Sequence, residues 1–371
     1  MTAGAAVAAP VRPLLVTGCG VVSPAGVGLA PLAGALESGP AAPGAPEDSP
    51  DGYPPQPLWA LPELPVAEHL GTKGLRHVDR FTLMALIACR SALRQAGAEG
   101  DGADIGVVVA TSTGSLRTLS EVACDTVLQE KPYMVNPGNF PNVVMNACGG
   151  QIAIKNGLRA VNSTISGGQV SSLAAVRFAR TAIEGGRASR VLVGGVEELV
   201  PISAWGWHLS QALDAEAPIG EGTAMFLLED AEAAREAGRT GLAEVLACEV
   251  GYHGVDDADG RARGLAACVG RALSRSGVLP DEVDVVSVGA AGHRDMEAVE
   301  ERALRAALGR DVPLIRAATA VGECYSASGA LQLAALLASW QEAPDGDPRT
   351  GLVTSVGDDG NVGCLVVRRW L

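Results

Sequence analysis

Residues 163–199 read STISGGQVSSLAAVRFARTAIEGGRASRVLVGGVEEL, and three kinds of local structure follow one another within them. The stretch from Ser163 to Gly168 is small and glycine-rich, as a tight turn requires. SSLAAVRFARTAIEGG, starting at Ser171, spaces its apolar residues as a helix does and closes on two glycines. RVLVGGVEEL, starting at Arg190, is an apolar run of the length of a buried strand.

The same alternation continues in both directions. Upstream, RFTLMALIACRSALRQAG (80–97) predicts a helix and IGVVVATSTGS (105–115) a buried strand ending in small residues. Downstream, GTAMFLLED (222–230) predicts a further strand. From about Thr240 a second cycle runs: a strand in 241–253, a helix in 260–277, a strand in 284–292, helices in 294–309 and 326–340, and closing strands in 351–357 and 363–371. Strands alternating with helices imply a sheet with parallel members and helices on its faces. Two similar cycles point to a duplicated core, divided into residues 1–240 and 241–371. Residues 40–65, dense in Pro, Gly and acids, are expected to be a surface excursion without regular structure.

Composition removes several classes of function. Charged residues make up 19% and aromatics 4%, with 47 glycines, so Ala, Val, Leu and Gly must build the interior. A net charge of −14 lacks the Lys and Arg clusters that phosphate binding needs, which excludes nucleic acid as a partner. No apolar run approaches the roughly 18 residues of a membrane span, and residues 1–18 read as a tail leading into a strand, so a cytoplasmic protein is expected. Eight cysteines are scattered without a Cys-x-x-Cys pair, which points to packing rather than to metal or disulfides. Asp256, Asp257 and Asp259 lack further ligands and read as a solvated loop. No metal and no cofactor are expected.

Five stretches resemble β-ketoacyl synthases, in that family's order. VTGCGVVSPAG (16–26) is similar to the first strand and turn, and VNPGNFPNVVMNACGGQIAIKNGL (135–158) to the Pro-x-x-Phe-Pro segment and the helix after it. RVLVGGVEEL, IGEGTAMFLLE (219–229) and SASGALQLAALL (326–337) resemble the strand after the nucleophile helix, the Gly-Glu-Gly hairpin and the late Gly-Ala-rich helix. The resemblance implies the thiolase fold: α/β, two duplicated βαβαβαββ halves forming a five-layered α-β-α-β-α sandwich, and dimeric.

The chemistry of that family needs a thiolate at a helix start, two imidazoles to polarise a thioester, and a lysine nearby. Matching its motifs puts Ser166 at the cysteine, Gly289 at the first histidine, Glu323 at the second and Ala318 at the lysine. A serine hydroxyl ionises far less readily than a thiol, and an ionised carboxylate cannot donate the hydrogen bond that a carbonyl needs. The gate loop falls on Val356–Asn361, which makes Asp358 and Gly360 the candidate substrate-binding residues. His293 reads as a surface histidine near a helix start, Cys324 as core, and Trp205, Trp207 and His208 as core or dimer packing.

Loss of all four groups with the packing motifs retained resembles a chain length factor, the silent subunit of type II polyketide systems. The resemblance implies a ketosynthase α subunit as heterodimer partner, a shaped acyl tunnel, and only indirect contact with an acyl carrier protein; a homodimer is the other pairing. Many chain length factors place glutamine at the nucleophile position, whereas by this motif count Gln169 falls three residues later. Two other readings are an acyltransferase, thioesterase or cyclase using Ser166 with Glu323 or His293, and a homodimeric binding protein.

Overall fold

A computed structural model describes residues 11–39, 44, 52–254, 257–341 and 349–371. Ten strands form its frame. The first half supplies β1 Leu14–Ser23, β2 Ile105–Ala110, β3 Asn162–Ile165, β4 Arg190–Glu197 and β5 Gly222–Asp230. The second supplies β6 Ala243–Tyr252, β7 Val285–Ser287, β8 Leu314–Ile315, β9 Thr350–Val356 and β10 Asn361–Arg369. They pair in the order β8-β7-β9-β10-β6-β1-β5-β4-β2-β3.

From the middle outward the two halves have the same order, β1-β5-β4-β2-β3 and β6-β10-β9-β7-β8. The ladders correspond as well: β4 is parallel to β2 as β9 is to β7, and antiparallel to β5 as β9 is to β10. The halves meet where Leu14–Val16 pairs antiparallel with Ala243–Val245. Two halves with one topology are the duplication that the repeated cycle predicts.

Strand alternation sorts side chains into layers. Val108, Val191, Val193 and Phe226 join a central core, while Val107, Val109, Leu192 and Met225 face the outer helices Arg80–Gln95 and Ala147–Asn156. In the second half Val353, Leu365 and Val367 face the centre, and Leu352, Cys364 and Val366 face the helices Ala258–Ser276 and Met296–Leu308. The helices Ser171–Glu184 and Ser328–Ser339 fill the central layer. This is the five-layered sandwich. Small residues let the layers close: a Cβ on Gly20 would lie 1.9 Å from the Ala88 carbonyl oxygen of the outer helix.

The two central helices position the site. Ser172 donates from Oγ to the Ser326 carbonyl at 2.5 Å, so the N-terminal ends of both helices are brought together. Each helix start carries N–H groups without intrahelical partners, and residues just ahead of both starts face one another across that junction.

One expectation is corrected in the 40–65 stretch, of which 44 and 52–65 are described. Leu58–Trp59 pairs in parallel with Ile219–Gly220, and Leu58 is buried with Leu199, Ala204, Leu213 and Ile219. Apolar residues inside the Pro-rich run anchor it, and Glu221 of the Gly-Glu-Gly hairpin holds it by accepting from Leu61 N at 2.8 Å. The same carboxylate takes a bidentate Arg80 at 2.5 and 2.7 Å. No helix among the described residues is long and apolar enough to cross a membrane.

Candidate functional site

A cavity of about 410 Å³ opens at the junction of the central helices. Its wall includes Gln169, Glu197, Glu198, Trp207, Glu323 and Tyr325, with Asp358 and Asp359 at the loop after β9.

At its base three side chains remote in sequence meet. His293 Nε2 lies 2.7 Å from Glu323 Oε2, and Gln169 Nε2 lies 3.3 Å from His293 Nδ1. All three are buried, His293 and Glu323 to 3% exposure each. Glu323 is fixed from both sides: its Oε1 accepts from Tyr325 N at 2.7 Å and Ser328 Oγ at 3.2 Å, and its main chain bonds Pro218 O and Gly220 N. Trp207 closes over the pair, its ring centroid 5.6 Å from the imidazole and 5.3 Å from the Tyr325 ring, edge to face in both cases. Tyr325 holds φ at 45°, a left-handed conformation that its contacts must compensate.

Burial opposes a charge on His293, but the Glu323 carboxylate outweighs it and holds the imidazole above its ordinary value. The Gln169 amide serves either state of the ring, since turning it over exchanges a donor for an acceptor. Burial also pushes Glu197 up to about 7, against hydrogen bonds from Ser326, Ser112 and Thr111. Glu198 is raised to about 7 for the same reason, against one bond from Arg117 N.

The sequence-derived positions are distributed unevenly around this centre. Gly289, Ala318 and Glu323 line one small space behind it, together with Gln332 and Ser328. Gly289 donates its N–H to Glu300 Oε1 at 3.1 Å, and a Cβ there would lie 2.8 Å from the Thr354 carbonyl oxygen. Asp358 lines the large cavity, exposed and 3.7 Å from Arg261. Gly360 shapes the turn instead, with φ 84° and a Cβ position 3.2 Å from Gly254 N. Ser166 sits apart: it is exposed at the end of β3, and its Oγ donates to Ser112 O at 3.4 Å. The residue that the turn directs to His293 and Glu323 is Gln169, immediately before the buried helix.

His293 is therefore not a surface residue. The strand-like contact of Leu213 with His293 and bonds from Asp214 N to Gly292 O and Arg294 N to Ala212 O draw its loop inward beneath Trp207. Its nearness to a helix start, at Met296, is as expected. Cys324 is buried, and burial raises its thiol well above the ordinary range, which leaves it unreactive. Trp207 walls the cavity, while Trp205 bonds Gly52 O at 2.8 Å. Asp257 caps a helix through Gly260 N at 2.5 Å; Asp256 lies outside the described residues.

Chemically, the centre holds no available thiolate and no free imidazole among the described residues. His293 is engaged at both nitrogens, Gln169 is not a nucleophile, and no hydrogen bond among the described residues joins Ser166 to a base.

Family models described as "Beta-ketoacyl synthase, N-terminal domain" and "C-terminal domain" match residues 11–234 and 242–343. An actinorhodin polyketide β-ketoacyl synthase 2 of Streptomyces coelicolor is 30% identical over 355 residues, 89% of this chain and 86% of the relative. The tetracenomycin polyketide synthase ketoacyl synthase beta subunit of Streptomyces glaucescens is 29% identical, covering 88% of this chain and 85% of the relative. Among solved structures, the ishigamide ketosynthase/chain length factor superposes with a TM-score of 0.83 at 33% identity, over 96% of this chain and 99% of that one.

Proposed function

We propose that this chain, which belongs to the β-ketoacyl synthase family, is a non-condensing subunit of the chain-length-factor kind, pairing with an active ketosynthase in type II polyketide biosynthesis and shaping its acyl tunnel. The observation that carries this is Gln169 at the start of the buried helix, where the amide faces a histidine already bound to Glu323. A condensing site needs an acylated thiolate at such a place and free donors toward the thioester carbonyl. This centre offers an amide and an internally satisfied pair. The glutamine, not Ser166, takes the family's nucleophile position in this reading, and Gly289, Ala318 and Glu323 stand where the two histidines and the lysine are lost. Asp358 and Gly360 belong to the gate loop.

A partner surface supports the pairing. Edge strand β3, the helices Ala147–Asn156 and Leu116–Leu128 and the turn Phe140–Val143 pack one on the next. They leave Leu128, Phe140 and Ile154 exposed at 80%, 60% and 75%. An open sheet edge beside apolar side chains favours burial against another chain. We place the division between halves at residues 240 and 241, just ahead of β6, and the protein in the cytoplasm.

Co-expression with candidate type II ketosynthases, followed by size-exclusion chromatography, tests the pairing; a stable homodimer that ignores every one of them refutes it. Intact mass after incubation with acyl-carrier thioesters tests silence. No adduct is expected, and an adduct abolished by Ser166→Ala would establish the serine acyltransferase reading instead.

A further inference from the structure

The cavity beside Gln169 has a charge that a tunnel for hydrocarbon does not need. Among the described residues, five carboxyl side chains line it, Glu197, Glu198, Glu323, Asp358 and Asp359, and neither Lys nor Arg does. Glu323 is committed to His293, and Asp358 lies near Arg261.

Glu197 and Glu198 are different. They are 8% and 5% exposed, and each directs a single oxygen to the protein. Glu197 Oε1 accepts from Ser112 N at 2.5 Å and from the Ser326 hydroxyl, and Glu198 Oε1 accepts from Arg117 N at 3.0 Å. Among the described residues, neither Oε2 has a hydrogen-bond partner, although both residues line the cavity. Neither oxygen is among the buried polar atoms that lack a partner, so each stays open to the cavity and can accept from a donor that enters it. Arg117 lends Glu198 some positive field, yet the lining keeps an excess of acid. Trp207 and Tyr325 add two aromatic rings, 5.3 Å apart and edge to face. Carboxylates combined with aromatic rings recognise an organic ammonium, by ion pairing and by attraction of the cation to the ring quadrupole.

We infer that this cavity receives the end of a ligand carrying a protonated primary amine, with its carbon chain against Leu116 and Ile219. That the ligand is an acyl chain rests on the subunit reading; the preference for a cation does not. An acyl end bearing a carboxylate is repelled, and an alkyl end displaces water from the two oxygens without replacing its hydrogen bonds.

The test is isothermal titration of the full-length chain at pH 8 with hexylammonium chloride, hexan-1-ol and sodium hexanoate. Hexylammonium is expected to bind at least tenfold more tightly than hexan-1-ol, with no saturable binding of hexanoate. Glu198→Gln should weaken hexylammonium at least fivefold and leave hexan-1-ol unchanged; Glu197→Gln should do the same and serves if the first variant does not fold. Equal binding of alcohol and ammonium, absence of saturable ammonium binding, or indifference to both substitutions would overturn the inference. Retained ammonium selectivity without pairing to a ketosynthase would instead defeat the subunit reading alone.

Discussion

Replacing Glu197 by glutamine should flatten part of the pH dependence of stability, by an amount that follows from the fold. Glu197 ends β4 beneath the cavity wall, with its carboxyl raised from 4.5 to about 7 by burial. In the unfolded chain it returns to the ordinary value. Between about pH 4.5 and 7 the native protein therefore holds a proton that the unfolded chain has released, and stability falls as pH rises through that window. A shift of that size corresponds to about 3 kcal/mol lost between pH 4.5 and pH 7 or above. Glutamine is neutral throughout; its Oε1 can keep the bonds from Ser112 N and Ser326, and its amide nitrogen takes the side that has no partner. Urea unfolding at pH 5, 6, 7 and 8 should show Glu197→Gln gaining on the parent protein by about 2–3 kcal/mol across the series. Glu198, Glu300 and His293 are also raised and contribute the same sign, so the comparison must be between variant and parent rather than against pH alone. A difference that stays constant from pH 5 to pH 8 would refute the assignment of a buried, proton-holding Glu197.

Three further outcomes follow. His293→Ala and Glu323→Ala should each lower stability by about 3–5 kcal/mol in urea unfolding, since either leaves its partner buried and unpaired, while His293→Gln with Glu323→Gln should cost less than the sum of the single alanine changes. Gly289→His, which puts a histidine where the motif match expects one, should destabilise by about 1–3 kcal/mol and, in the reading proposed above, restore no condensation, because its Cβ meets the Thr354 carbonyl oxygen at 2.8 Å. Phe140→Glu combined with Ile154→Glu should abolish co-elution with the ketosynthase without moving the thermal unfolding midpoint of the isolated chain by more than a degree or two, as both side chains are mostly exposed there.

Most of the architecture was legible in the chain itself. The apolar runs at 105–110, 190–197 and 222–230, and the helical spacing in 80–95 and 171–184, depend on neighbouring residues only, and each became the element expected. The order of short motifs carried the thiolase fold in the same way. Gly289, Ala318 and Glu323 line one small space. What the chain alone did not decide was the centre of the site. Counting from the end of β3 stops at Ser166, but the turn between that strand and the buried helix extends to Gly168–Val170, and the helix start, not the strand end, faces the cavity. Gln169 meets a histidine 124 positions away, which in turn meets a glutamate 30 positions further on. Burial of His293 depends on Trp207 and Leu213 closing over it from another part of the chain. Local periodicity is a property of adjacent residues, whereas the environment of a charged side chain is set by whichever distant segments pack around it. Sequence thus determined the elements and the order of the family's motifs, and only the tertiary structure determined that Gln169, His293 and Glu323 stand together.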